Sequence, residues 1–505
     1  MGLSIAIGFG LTLAGWGTAR AVAGATRAGR FLVLFHDGLV PLGTFLVLLM
    51  AGARPILAGC VAFGAFAGFA FADHVKRQVL REPIVFTDMS EVVALFRHPE
   101  FYLPFAGTWR VCLGMAGVAV TYGVLFFAEP PLFAATIPWA ALVLAGAVLL
   151  ILLLARFGAR PWARLLRRFN PCGDPVADAR RLGPFAMIGT YGIIARAERT
   201  ERRASARMAG VPLKAKPPVI LVQSESFFDA RRLGLEPDYL PAFETARSSA
   251  VQWGRLDVPC WGANTTRTEF AVLSGLSGDQ IGFDRFNPYH AFARGKLPSL
   301  ARFFRSQGYR TICIHPFDLH FYDRDRIMPL LGFEEIVGQE AFAPAHHIRG
   351  YVGDADVARY CAARLTAGRQ PVFIFVITME NHGPWASGTG LPAQLAHASD
   401  GDGLGEYLAH LKGADAMIAM LTSALAQRGE GMLGFYGDHM PSLPRGFSGL
   451  GFAETSTDYF LWRPGGALPA RADIAAHDLP AAIIKFLSAP SARPAAQLEQ
   501  GLAAG

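Results

Sequence analysis

The sequence specifies a two-part molecule: an N-terminal bundle of about five transmembrane helices, then an α/β domain with a mostly parallel central sheet. Three observations lead there. The chain is 52% hydrophobic and only 17% charged, against about 25% charged in an ordinary soluble domain, which argues against a purely cytosolic enzyme. Its uncharged apolar runs fall in the first 155 residues. From Pro217 onward, short apolar runs alternate with amphipathic helical patterns, which is how a parallel sheet covered by helices reads in sequence.

A membrane-spanning helix needs about 20 apolar residues. Five stretches qualify: Leu3–Gly24, Phe31–Gly52, Pro55–Ala72, Val111–Phe127 and Pro131–Ala155. The first lacks the basic start and small-residue cleavage site of a signal peptide, and further spans follow it. The second contains His36 and Asp37. Such a pair is either a functional hint or, on the plainer reading, the headgroup-facing end of the span. Residues 74–105 mix charge with apolar residues at helical spacing and fit an interfacial segment. Residues 156–216 open with RFGARPWARLLRRFN, a basic linker suited to anionic headgroups. Net charge is +7, which suits anionic lipid; no nucleic-acid partner is expected beside so many spans. Arg20, Arg27 and Arg30, then Lys76, Arg77, Arg81 and Arg97, then Arg156, Arg160, Arg164, Arg167 and Arg168 all fall on one side of five spans. The basic-residue count alone would place the C-terminal domain in the cytoplasm.

The second part spans residues 217–490, before a short tail over 491–505. Its strands read as PPVILVQ, RTICIH, PVFIFVITM, MLGFYG and YFLW, with helices over LPSLARFFRSQGY, DADVARYCAARL and residues 406–427. Ligands of open α/β sheets bind beyond the carboxyl ends of the strands, and polar clusters stand at four such ends. They are QSESF with Glu225, MENHGPW with His382, GDHMP with Asp438 and His439, and His315 leading to Tyr322 and Arg324. A fifth cluster, PCWGANTTRTEF, puts Thr265 and Thr266 near a helix N-terminus, where backbone amides favour an anion. Each cluster alone is a common cap, turn or surface group; the five in chain order carry the signal. His346 and His347, side by side in an irregular stretch, read as a solvated loop.

Carboxylate and imidazole ligands hold a divalent ion such as Mn²⁺ or Zn²⁺. A hydroxyl next to it loses its proton more easily, which makes a threonine a nucleophile. An arginine and a histidine can hold nonbridging oxygens and protonate a leaving alcohol, and His382 is the donor best placed by sequence. The pattern suits displacement at phosphorus. The six cysteines are scattered without a CxxC pair, against a zinc ribbon or a dense disulfide scaffold.

The ordered set of Glu, Thr followed by EF, aromatic-x-Arg-Asp, NH-x-P and GDH resembles the membrane-anchored lipoteichoic acid synthase and phosphoglycerol transferase family of the alkaline phosphatase–sulfatase superfamily. The resemblance covers nearly the whole chain. It implies a sulfatase-like α/β fold and one Mn²⁺-like ion, with Mg²⁺ and Zn²⁺ as alternatives. It implies Glu225, Thr265, Asp438 and His439 as ligands and Thr265 as nucleophile. It also implies that His315, Tyr322, Arg324 and His382 surround a phosphoglycerol group, with Tyr322 where the best-known members carry Trp. The implied reaction moves phosphoglycerol from phosphatidylglycerol to an envelope glycan or glycerol phosphate and releases diacylglycerol. The implied location is the bacterial inner membrane with the catalytic domain facing outward, against the basic-residue count.

Phosphoethanolamine transferases, also Thr- and metal-dependent behind five spans, are the nearest rival, but typically carry several disulfides. A sulfatase would need CxPxR, whereas Cys260 is followed by WGAN. A phosphodiesterase would differ only in using water as acceptor. An inactive membrane-anchored binding domain would show a decayed ligand set, and this set is complete.

Overall fold

The computed structural model describes residues 1–25, 31–90, 99, 106–134, 136–156, 158–201, 212–289, 298–342, 347–348, 350–366, 370–466 and 469–488. They form two compact units, Met1–Arg202 and Arg203–Gly505.

Five helices of the first unit are long and apolar enough to cross a membrane: α1 (Gly2–Val22), α2 (Phe31–Gly52), α3 (Pro55–Leu80), α4 (Thr108–Ala128) and α5 (Ile137–Arg156). α1 lies directly against α3 because glycine lines the contact. A Cβ on Gly8 would sit 2.0 Å from the Pro55 carbonyl oxygen, and one on Gly59 would sit 2.2 Å from the Gly8 oxygen. Lipid gives helices little hydrophobic reason to associate, so close backbone approach between small residues is what holds such a pair. α4 and α5 bury no residue, as lipid-facing helices should. α3 runs eight residues past the expected Ala72. Its polar end is closed by ion pairs, Asp73 with Arg77 at 2.7 Å and Lys76 with Asp88 at 2.7 Å. Residues 91–98 and 100–105 of the expected interfacial segment, Arg97 among them, lie outside the described residues, as do Arg27 and Arg30.

Asp37 faces protein rather than an open helix surface. It is fully buried and its carboxylate accepts from Trp16 Nε1 (2.8 Å) and Arg20 Nη1 (2.7 Å) of α1, and from the backbone amides of Phe185 (3.0 Å) and Ala186 (2.9 Å). Those amides open a helix within the expected basic linker. That stretch is helical over α6 (Ala159–Leu166), α7 (Pro175–Leu182) and α8 (Pro184–Glu201). Asp174 caps α7, accepting from Val176 and Ala177 amides. Asp37 therefore ties α1, α2 and α8 together. Asp37→Ala would leave Arg20 buried without its counter-ion, a loss of about 3–5 kcal/mol. A thermal melt in detergent should show a clearly lowered transition, and an unchanged melt would contradict this account.

The second unit is built on one mixed sheet. Its strands, among the described residues, are β1 (Val219–Ser224), β2 (Gln252–Asp257), β3 (Arg310–Ile314), β4 (Glu335–Val337), β7 (Val372–Ile377), β8 (Met432–Gly437), β9 (Thr457–Trp462), β10 (Ala470–Arg471) and β11 (Ile474–Ala475). The order is β10-β2-β9-β8-β1-β7-β3-β4, with β11 also on β2. Only β9 runs antiparallel, to β8 and β2. A separate two-stranded hairpin joins β5 (His347–Ile348) and β6 (Tyr351–Val352).

β1, β7 and β8 are buried along their whole length, which is why they read as unbroken apolar runs. Their side chains alternate between two cores: Ile220, Val222, Ile374 and Val376 enter one, and Val219, Leu221, Phe373 and Phe375 enter the other. Helices α9 (Pro241–Ser248), α13 (Asp354–Thr366) and α14 (Leu404–Arg428) pack into the first, and α10 (Thr265–Ser274), α11 (Leu300–Ser306), α12 (Arg324–Leu331) and α15 (Leu479–Ser488) into the second. The carboxyl ends of β1, β3, β7 and β8 therefore share one edge, and the expected site residues follow those ends.

Candidate active site

Glu225 follows β1, and Asp438 and His439 follow β8, its parallel neighbour. One ligand atom from each of the three lies within 4.8 Å of the others. All are buried. Thr265 Oγ1 stands 3.4 Å from His439 Nε2. Thr265 is the first residue of α10, and Asn264, in the left-handed region at φ 66°, takes the cap position instead.

The backbone around these groups is set with care. Ser226, also left-handed at φ 53°, donates from its amide to Asp438 Oδ1 (2.8 Å) and from its hydroxyl to Glu225 Oε1 (2.8 Å). Strain of this kind persists where surroundings over-determine it, typically at functional sites. Thr378, just beyond β7, accepts the Glu225 amide at 3.1 Å, and Thr268 donates to the Asp438 carbonyl at 2.6 Å.

The cluster has the electrostatics of a cation site. Burial, then the charge of Glu225, pushes the Asp438 carboxyl up to about 7. Burial alone would lower the His439 pKa, but the Asp438 and Glu225 carboxylates outweigh it and raise it. Asp438 Oδ2 is buried without a hydrogen-bond partner, and an orphaned carboxylate oxygen among two acids and an imidazole fits a divalent ion. A further buried acid, Asp354, stands nearby. Burial, then Glu380 and Glu225, lifts its carboxyl well above the ordinary range.

A second group forms around Arg324, the first residue of α12. Two left-handed residues precede it, Tyr322 (φ 60°) and Asp323 (φ 52°). The resulting sharp turn folds Arg324 inward, and its guanidinium stands 5.3 Å from the Tyr322 ring centre. Nη1 donates to His315 Nε2 at 3.1 Å and Nη2 to Glu269 Oε2 at 2.9 Å, while Nε is buried without a partner. Burial, then the arginine charge, holds the His315 pKa well below its usual value, so this ring is neutral. Its Nε2 is the acceptor and its Nδ1 faces the Ile377 carbonyl at 3.5 Å. Both ring nitrogens thus face protein groups, Nε2 the Arg324 guanidinium and Nδ1 the Ile377 carbonyl.

His382 is half-buried. Its Nδ1 lies 2.6 Å from the Gly383 carbonyl, which fixes Nδ1 as the protonated nitrogen, and 3.4 Å from the Tyr351 hydroxyl on β6. It is close enough to His315 for its charge to contribute to that ring's lowered pKa. Of the adjacent histidines, His347 opens β5 with an exposed side chain, and His346 lies outside the described residues.

Ser226, Glu269 and Tyr351 belong to the site although the sequence did not single them out for chemistry. Ser226 and Glu269 sit inside quoted clusters, QSESF and TTRTEF, so proximity was the available signal. Tyr351 had none, because a two-residue hairpin delivers it.

A parallel-edge acid and imidazole cluster beside a helix-borne threonine defines the metal-dependent class of the alkaline phosphatase superfamily. A family model, Sulfatase, matches residues 217–489. The chain belongs to this sulfatase family. It is 32% identical over 434 residues to the capsular polysaccharide biosynthesis protein RkpI of Rhizobium meliloti, covering 81% of this chain and 77% of that one. A putative cyclic beta-1,2-glucan modification protein of the same organism is 31% identical over 260 residues, 49% of this chain and 39% of the other. Over 96% of this chain and 95% of the other, the fold is similar to that of the integral membrane lipooligosaccharide phosphoethanolamine transferase A from Neisseria meningitidis, with a TM-score of 0.58 and 13% identity.

Proposed function

We propose that the protein transfers phosphoglycerol from phosphatidylglycerol to an envelope glycan or a glycerol phosphate acceptor, through a phosphate ester on Thr265, with release of diacylglycerol. The observation that carries this reading is the Thr265 hydroxyl, 3.4 Å from His439, at a helix N-terminus beside the Glu225–Asp438–His439 cluster. When bound, a divalent cation, Mn²⁺ by preference, supplies positive charge that favours the alkoxide and the phosphoryl oxygens. Thr265 attacks phosphorus as the bond to the diacylglycerol oxygen breaks, Arg324 with Tyr322 holds the phosphoglycerol group, and His382 in its imidazolium form, with Nδ1–H on the Gly383 carbonyl, gives its Nε2 proton to the departing oxygen. The acceptor hydroxyl then attacks phosphorus, gives its proton to the now neutral His382, and the bond from phosphorus to the Thr265 oxygen breaks.

Phosphoglycerol is preferred to phosphoethanolamine because the described residues of the soluble domain show no disulfide framework. No disulfide joins cysteines among the described residues, and Cys313 and Cys361 are buried in different cores. The two relatives at about 30% identity are named for polysaccharide and glucan work, which supports a glycan acceptor. The test offers vesicles of phosphatidylglycerol or phosphatidylethanolamine to the purified chain and measures diacylglycerol. Envelope glycans from cells with and without the gene are weighed by mass spectrometry. Turnover of phosphatidylethanolamine alone would overturn the donor assignment.

His382 carries its own prediction. General acid catalysis is typically worth about 10²–10⁴-fold, so His382→Ala should slow diacylglycerol release by that order. A donor with an activated aryl leaving group needs no proton, and there the loss should shrink sharply. Equal losses on both donors would refute the acid role.

A further inference from the structure

Glu269 is completely buried, as is its partner Arg324. Its Oε2 accepts from Arg324 Nη2 at 2.9 Å and from Gln223 Nε2 at 3.3 Å. Gln223 Oε1 in turn accepts the Tyr436 hydroxyl at 2.5 Å. Gln223 and Tyr436 are the inward-pointing residues of β1 and β8 two positions before Glu225 and Asp438. Glu269 also stands four residues after Thr265 on α10, and residues four apart share one face of a helix. One short rigid helix thus carries the nucleophile on its first turn and the arginine's counter-ion on its second. The backbone of α10 is itself anchored to the cluster through Thr268 and the Asp438 carbonyl.

We propose that Glu269 is a positioning residue: its carboxylate fixes the Arg324 guanidinium relative to the Thr265 hydroxyl, so that the phosphoryl group held by the arginine meets the nucleophile in line. The proposal rests on the reading of Arg324 as a phosphoryl-binding group and Thr265 as nucleophile. A buried guanidinium has long rotatable arms, and two anchors, Glu269 and His315, remove that freedom before substrate arrives. Misplacement of a reacting group by about 1 Å can cost about 10²-fold in rate.

The experiment compares Glu269→Gln, Arg324→Lys and the double variant in diacylglycerol release from phosphatidylglycerol, with circular dichroism and a thermal melt on each. Glu269→Gln should lower kcat about 10–100-fold while KM stays within a few-fold, because the loss is of alignment. In the Arg324→Lys background the same change should add little, because residues acting as one unit are not additive. Full turnover per folded molecule in Glu269→Gln overturns the proposal, as do losses that simply multiply in the double variant. Unimpaired Arg324→Lys would instead remove the arginine from the proposed function, and the positioning role would fall with it. If Glu269→Gln is not recovered folded, Glu269→Asp takes its place with the same expected loss of kcat. Failure of both to fold would make Glu269 a structural ion pair and overturn the proposal.

Discussion

Thr265→Ala should abolish diacylglycerol release, by on the order of 10³-fold or more, because no second displacement can begin without the first. The hydroxyl lies 3.4 Å from His439 Nε2 and also hydrogen-bonds Asp438, while the Asn264 carbonyl and the Thr268 hydroxyl hold α10 at this point as well. Removing one hydroxyl should cost stability only about 1 kcal/mol, so the variant should fold and melt close to the parent. Incubation of the parent with phosphatidylglycerol and acid quenching should leave phosphoglycerol on the peptide containing Thr265, visible by mass spectrometry and missing from the variant. Thr266 is the neighbour on the same helix. Loss in Thr266→Ala with retention in Thr265→Ala would move the nucleophile one residue along.

Removal of divalent cations should stop turnover altogether, and Mn²⁺ should restore it; Mg²⁺ and Zn²⁺ serve as the comparison. Glu225, Asp438 and His439 crowd two carboxylates and an imidazole into a buried space with an orphaned Asp438 oxygen. A cation that binds only the folded site stabilises it by about 2.7 kcal/mol at 100 times its Kd. Mn²⁺ should therefore raise the melting temperature by several degrees, independently of activity. Asp438→Asn should abolish both turnover and that rise. Full activity in a preparation shown by elemental analysis to be metal-free would sink the assignment.

Much of this was legible because burial on both faces leaves a plain mark. β1, β7 and β8 have no solvated side, so their apolar runs stand out, and the groups after them had to share an edge once the strands were parallel. The five apolar helices were legible from length alone, since lipid demands about 20 residues. β2 was not, because its pattern is half polar: Arg255 and Asp257 alternate with buried neighbours. The two-residue strands carry no periodicity at all. In the stretch after α5, arginine-rich composition suggested a linker, whereas a buried partner, Asp37, caps α8. Likewise His315 was legible as a polar residue at a strand end, but its contact with Arg324 was not, because the sharp turn at Tyr322 and Asp323 that folds Arg324 inward leaves no periodic mark. Tertiary contacts settle such roles, and a single sequence does not contain them.

The central pairing of β1 with β8 has a consequence for how the domain is made. Ser226 and Asp438, which hydrogen-bond across that pairing, are 212 residues apart in the chain. At about 5–20 residues per second, synthesis of that interval takes roughly 10–40 s. Throughout it, β1 has its eventual neighbour on one side missing, and an unpaired apolar strand is an invitation to aggregate. Biogenesis, rather than catalysis, is then the stage at which this chain is most fragile. Factors that shield extended apolar segments during synthesis should matter more to its yield than to its stability once complete. A premature stop anywhere before residue 432 should yield a product that is degraded, never one with partial activity.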